Sequence, residues 1–349
     1  MLEYSQTSIQ KVSVHQVGNK TNGEQLRLSK SMLNASDDKL HGLLKKFFLH
    51  SFVTPEFYNF TSTNENHELN PLFTYASQAF DSPKLFHATS INIAKHLFEL
   101  SIHPQIKSGD LFVAYFKNIN AVDEMTDAIG IFKSENRQEF LKVDAASDEF
   151  GLHYEDGINI EKLDKGCLIF NTDRDKGYNI CIIDKSNKGG EAQYWKDSFL
   201  QITPCSDDYH YTKEFLTITK NFVTNQLSEE FEVSKADKID LLNRSVEYFK
   251  SHETFDKDDF EKEVFQDKNM IKSFQNFDEI YREEHEIELD DNFDISAQAV
   301  KKQARVFKSV LKLDKNFHIY IHGERQMVEK GYDEAKQMNY YKLFFKEES

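Results

Sequence analysis

The periodicity of the apolar residues changes at Pro204, and no other feature limits the folds open to this chain as much. Between about residues 110 and 202 the segments are short and rich in β-branched and aromatic residues. DLFVAYFKNI (110–119), AIGIFKS (128–134), EFLKV (139–143), CLIFN (167–171) and YNICIID (178–184) are separated by polar turns. The first three predict an antiparallel meander, and the last two a further hairpin about the turn at 172–177. QYWKDSFLQI (193–202) reads as the last member of this β-rich stretch, closed by Pro204. After Pro204 the spacing becomes helical. Asp207 and Asp208 open a long helix with the stripe Phe215, Ile218, Phe222 and Val223. A second helix over 235–252 carries Ile239, Leu242, Val246 and Phe249, and two shorter ones follow.

The ends of the chain complete the outline. IQKVSVHQV (9–17) alternates as a strand, with EQLRLSK (24–30) expected as its partner. Helices are expected from Ser36 and Asp37 to about His50, and over about 84–102 between Pro83 and Pro104. RVFKSVLKLD (305–314), FHIYIHG (317–323) and NYYKLFF (339–345) read as closing strands. The expected class is α+β. An N-terminal mixed domain with an antiparallel meander spans 1–205. A C-terminal helical region ending in a small antiparallel sheet spans 206–349.

Composition excludes several classes. Thirty Phe and fifteen Tyr in 349 residues are incompatible with wholesale disorder. No apolar run reaches the ~18–20 residues of a membrane-spanning helix, and the start is not a secretory signal, so a soluble cytoplasmic protein is expected. Cys167, Cys181 and Cys205 form no CxxC pair and are expected as free thiols rather than a zinc site.

Catalytic signatures are sparse. No GxxxxGK[ST], GxGxxG or GxSxG occurs, so neither a phosphate-cradling loop nor a nucleophile elbow is expected. His318 and His322 would lie roughly 13 Å apart along a strand, too far to share a metal ion. Asp173, Asp175 and Gly177 resemble a fragment of a calcium loop but lack its closing Glu. DDNFD (290–294) has Ile295 where such a loop needs Gly. The expectation is therefore no enzyme, no cofactor and no metal. A metal-dependent nuclease using the abundant Asp and Glu is the weakest reading.

Charge gives the sharper signal. The chain carries a net charge of −16. Residues 251–300 hold five Lys or Arg against sixteen Asp or Glu, whereas 301–349 hold eleven against seven. The acidic block is densest over 279–294. The basic strip that follows contains Lys301, Lys302, Arg305, Lys308 and Lys312. As a strand, the strip would divide its basic residues between two faces. As a helix through Arg305, it would cluster Lys301, Lys302 and Arg305. Such a cluster suits sequence-independent phosphate contact, which screening over ~8–10 Å permits on an acidic chain. Lys45 and Lys46 form a smaller exposed pair on the first helix.

The order of segments carries a family resemblance. VSVHQVG precedes GDLFVAYF and then GINIEKLDKGCLIFN. YWKDSFLQI leads into the long helix, and the basic strand leads to KLDKNFHIYIHGER. Together these resemble the bacterial 37-kDa nucleoid-associated protein family (NdpA-like). The likeness spans nearly the whole chain and is strongest at 156–202 and 303–325. It implies a cytoplasmic bacterial protein that associates with the compacted chromosome, without a catalytic signature. The chain departs from a DNA-binding end in its last residues, KLFFKEES, which supply no basic tail.

The resulting expectation is a non-enzymatic nucleoid-associated protein that binds DNA non-specifically through Lys301, Lys302, Arg305, Lys308 and Lys312. The alternative is an adaptor recruited by a chromosome-bound protein through the acidic block. A homodimer would strengthen a weak patch by avidity.

Overall fold

The computed structural model describes residues 4–34, 37–53, 56–64, 66–121, 124–144, 150–185, 194–285, 287–304, 307, 310–313, 317–320 and 327–347. The chain divides into two compact units, Met1–Cys205 and Ser206–Ser349.

The first unit contains, in order, β1 (Ser8–Val17), α1 (Asp38–Leu49), β2 (Phe57–Phe60), α2 (Pro71–Asp81), α3 (Phe86–Leu100), β3 (Gly109–Ala121), β4 (Glu124–Ser134), β5 (Gln138–Asp144), β6 (Gly151–Gly157), β7 (Lys165–Phe170), β8 (Asn179–Asp184) and β9 (Ile202–Pro204). Seven of these strands form one antiparallel sheet in the order β1-β3-β4-β7-β8-β2-β9. Its centre joins two members of the expected meander, β3 and β4, to the expected hairpin of β7 and β8. β5 and β6 leave the sheet and pair only with each other.

Alternation along β3 explains the layering. Leu111, Val113 and Tyr115 face a core shared with Phe86, Ile93 and Leu97 of α3. Phe112, Ala114 and Phe116 face a second core shared with Leu44, Phe47 and Phe48 of α1. Helices thus cover both faces of an antiparallel sheet. This is why its central strands read as nearly continuous apolar runs. Phe48 stacks on Phe132 of β4 with ring centroids 4.4 Å apart. Gly130, one rung away, lacks the Cβ that would lie 2.3 Å from the Phe132 ring.

Three local expectations change. Residues 24–30 make one bridge, Gln16 to Arg27, on the outer edge of β1, whose other edge carries the ladder to β3. Residues 194–200 form a π-helical turn instead of a strand. Trp195, Phe199 and Leu200 fall on one buried side of that turn, a spacing that also resembles a strand with an irregularity. α2 was not anticipated. Asn70 caps it, accepting the amide hydrogens of Leu72 and Phe73 at 2.8 and 3.2 Å, and Pro71 fills its first turn.

The second unit begins with α4 (Asp208–Asn221), which runs through a π-helical turn at Phe222–Gln226 into α5 (Leu227–Glu230). Then come α6 (Lys235–Ser251), β10 (Thr254–Asp256), α7 (Lys257–Val264), α8 (Lys268–Glu284), β11 (Asn292–Asp294), α9 (Ala297–Ala304), β12 (Val310–Leu313), β13 (Phe317–Tyr320), β14 (Val328–Asp333) and β15 (Met338–Leu343). Asp207 is the N-cap expected for α4, and Ser234 with Asp237 forms a capping box on α6. A phenylalanine-rich core fills the helical part, with Phe215, Phe222, Phe249, Phe255, Phe260 and Phe274 in mutual contact. The end is strand, as expected, but as two separate hairpins, β12–β13 and β14–β15.

Candidate nucleic-acid interface

The basic strip begins as a helix. Lys301 and Lys302 occupy the last turn of α9, whose Ala299 and Val300 are buried in the core. Burial of that pair turns both lysines outward, and both are exposed. A helix C-terminus carries a partial negative charge, so two ammonium groups there also stabilise α9 locally. Lys302 Nζ lies 5.7 Å from the ring centroid of Tyr209, a cation–π contact that orients it. Lys301 has no ion pair among the described residues. Arg305 and Lys308 lie outside the described residues. Lys312 sits on β12 opposite His318 in the β12–β13 register. The helical reading of 301–304 therefore brings Lys301 and Lys302 together.

The acidic block is partly neutralised from within. The buried carboxylate of Asp278 accepts from Lys257 Nζ at 2.6 Å and from Arg282 Nε at 2.7 Å. Arg282 also reaches Asp291 at 3.2 Å. Glu279, Glu283, Glu284, Glu288 and Asp290 remain exposed. They form an acidic ridge along the end of α8 and the segment after it.

The other sequence candidates are engaged inside the protein. Lys46 pairs with Glu161, and Lys45 Nζ donates to the Ser5 carbonyl at 3.2 Å. Arg174, between Asp173 and Asp175, grips Asp81 with two nitrogens at 2.8 and 3.0 Å. All three cysteines are free. Burial pushes the Cys167 and Cys181 thiols well up, away from the reactive thiolate. Among the described residues no group of three or more His, Cys, Asp or Glu gathers as a metal site. No helix in the described residues is long and apolar enough to cross a membrane.

Two buried polar clusters escaped the sequence reading. At one rim of the large sheet, Lys133 of β4 lies directly opposite Lys165 of β7. Lys133 Nζ donates to Glu135 at 2.9 Å, to the Lys107 carbonyl and to Tyr194. Lys165 Nζ reaches Asp184 at 2.8 Å. Both ammonium groups sit near the Tyr194 ring, at 5.8 and 5.2 Å. Burial lowers the Lys133 pKa, and Glu135 partly offsets this. Burial, then Glu135, raises that of Tyr194. All three donors of Lys133 are used, so it presents no free amine. A lysine ending an apolar strand run was the available signal.

The second cluster joins β1 to α3. His15 donates from Nε2 to Ser90 Oγ at 3.0 Å, and its Nδ1 accepts the Ser29 amide hydrogen at 3.2 Å. Ser90 in turn donates to the His87 carbonyl at 2.7 Å. The serine proton thus points away from the imidazole, the reverse of a nucleophile and its base. Burial, then the nearby His87, holds His15 down at about 4.

Two comparisons bear on this arrangement. The family model for nucleoid-associated protein YejK matches residues 13–338. No curated protein matches the chain.

Proposed function

Because the chain belongs to the nucleoid-associated protein YejK family, we propose that it binds chromosomal DNA directly and without sequence preference. The contacts are made in the cytoplasm by Lys301, Lys302, Arg305, Lys308 and Lys312, with no chemical step. The observation that carries this reading is the outward pair on α9, where Lys301 is unpaired among the described residues beside an exposed Lys302. Phosphate contact needs only exposed cations, so an overall charge of −16 is compatible with a local patch over one Debye length.

The test is fluorescence anisotropy on duplex DNA across a salt series. Five phosphate contacts give a slope of about −4.5 in log K against log salt, and affinity falls roughly 500-fold from 50 to 200 mM. Replacing Lys301 and Lys302 by Ala reduces the slope to about −2.7. An unchanged slope and affinity would remove these residues from the interface.

The acidic ridge supports a second reading, recruitment by a basic chromosome-bound protein. In that case the purified chain fails to bind DNA even at low salt. Replacing Glu279, Glu283 and Glu284 by Gln then abolishes capture of the chain by the nucleoid fraction.

A further inference from the structure

The β5–β6 hairpin stands apart from the sheet that flanks it in sequence. Its backbone ladder runs only between its own two strands, and none of its side chains enters a core cluster. An isolated two-stranded hairpin is marginal in water and needs a covered face. Residues directly opposite in an antiparallel pair share a face. Leu141 faces Tyr154 across the ladder and Val143 faces Leu152, which places all four on one side. Their exposures are 72%, 68%, 60% and 66%, and Phe150 beside them is 77% exposed. At roughly 100–150 Å² per large apolar side chain, the five offer on the order of 600 Å². That approaches the ~800 Å² each partner contributes to a standard interface.

The opposite face argues about the occupant. Lys142 pairs with Glu155 at 2.9 Å, and His153 lies 3.6 Å from both Asp144 and Glu155. The strands carry one Lys against Glu139, Asp144, Glu155 and Asp156. A ribbon entering a DNA groove would need the reverse balance. A charged protein partner would find the hairpin's one lysine already paired. The chemistry left for recognition is the apolar face, and an apolar face is complementary to itself about a two-fold axis. In an antiparallel stack the acidic rung Glu139–Asp156 of each copy lies at the opposite end from its equivalent, so like charges stay apart.

We infer that the β5–β6 hairpin is a dimerisation arm, and that its apolar face packs against the same face of a second copy of this chain. The dimer carries two basic patches and strengthens DNA binding by avidity, but its formation does not depend on that function.

Sedimentation velocity of the full chain from 1 to 100 µM tests the inference. The wild type is expected to be dimeric in the upper part of this range, and to associate more tightly as salt rises, because screening relieves repulsion between acidic copies. DNA binding has the opposite salt response, so the two proposals fail separately. Leu141→Glu with Leu152→Glu should raise the dimer dissociation constant at least 100-fold. Lys142→Ala, on the opposite face, should leave it unchanged. Both altered leucines are exposed, and unchanged Trp195 fluorescence confirms that the unit remains folded. A wild type that stays monomeric at 100 µM overturns the inference, as does a double variant that still dimerises.

Discussion

His15 couples folding of the first unit to pH. Its ring is 2% exposed, and its two nitrogens have fixed roles, donating to Ser90 and accepting from Ser29. Protonation places a second hydrogen on Nδ1, which then faces the Ser29 amide donor, and puts charge 6.0 Å from the His87 ring centroid. The folded pKa is therefore about 4, against 6.5 for the free side chain. Between these values the unfolded chain holds a proton that the folded chain does not. Stability is fully present above 6.5 and is lost as pH falls toward 4. The full span is worth about 3 kcal/mol, of which roughly 2 kcal/mol is lost by pH 5.0. Urea denaturation followed by the single tryptophan, Trp195, reads this unit, since that residue is buried beside Phe199 in the core that α3 covers. Other groups titrate too, His96 among them, whose pKa burial also lowers. The informative quantity is therefore a difference. His15→Gln keeps an amide donor for Ser90 but cannot titrate. Between pH 7.5 and 5.0 the wild type should lose about 2 kcal/mol more than this variant. Equal losses, within about 0.5 kcal/mol, would refute the assignment of His15 as the buried neutral group.

Other outcomes follow from packing and pairing. Gly130→Ala pushes a methyl group into the Phe132 ring where that ring stacks on Phe48, and should cost about 1–3 kcal/mol in the same tryptophan assay. Asp278→Asn leaves Lys257 and Arg282 without their shared buried carboxylate. It should destabilise the second unit by about 3 kcal/mol, read by far-ultraviolet circular dichroism in urea. A thiol reagent should label no more than one cysteine per native chain, the half-buried Cys205, and all three in urea. Ser234→Ala removes half of a capping box and should cost about 1 kcal/mol.

The sequence was most informative where burial and periodicity coincide. In β3 the two alternating sets go to two different cores, so any reading of its period gives a strand. β1 was harder. Val12 and Val14 mark one face as apolar, yet Ser13 and His15 on the other face are also buried, because α3 supplies the His87 imidazole and the Ser90 hydroxyl as partners, 74 and 75 residues away. Trp195, Phe199 and Leu200 misled for a related reason, since the i, i+4, i+5 alignment of a π-helical turn also resembles an irregular strand. The basic strip was legible as composition, and the family resemblance is borne out by the match over 13–338. Spacing did not decide between strand and helix at Lys301 and Lys302. That choice rests on Val300 being drawn into a core built largely from residues far away in sequence, with Ala299 buried beside it.

The lysine pair at the rim of the large sheet has a consequence for how the strands find each other. Lys133 and Lys165 share a rung, and both project to the side that Tyr194 covers, where Glu135 and Asp184 wait. Sliding β4 by one residue would turn Lys133 to the other side of the sheet, toward Phe48 and Phe52. An ammonium without a counter-ion in that aromatic layer costs several kcal/mol. A misaligned β4 would thus bear the cost of a single buried cation, which makes the cluster a pin for the register of β4 against β7.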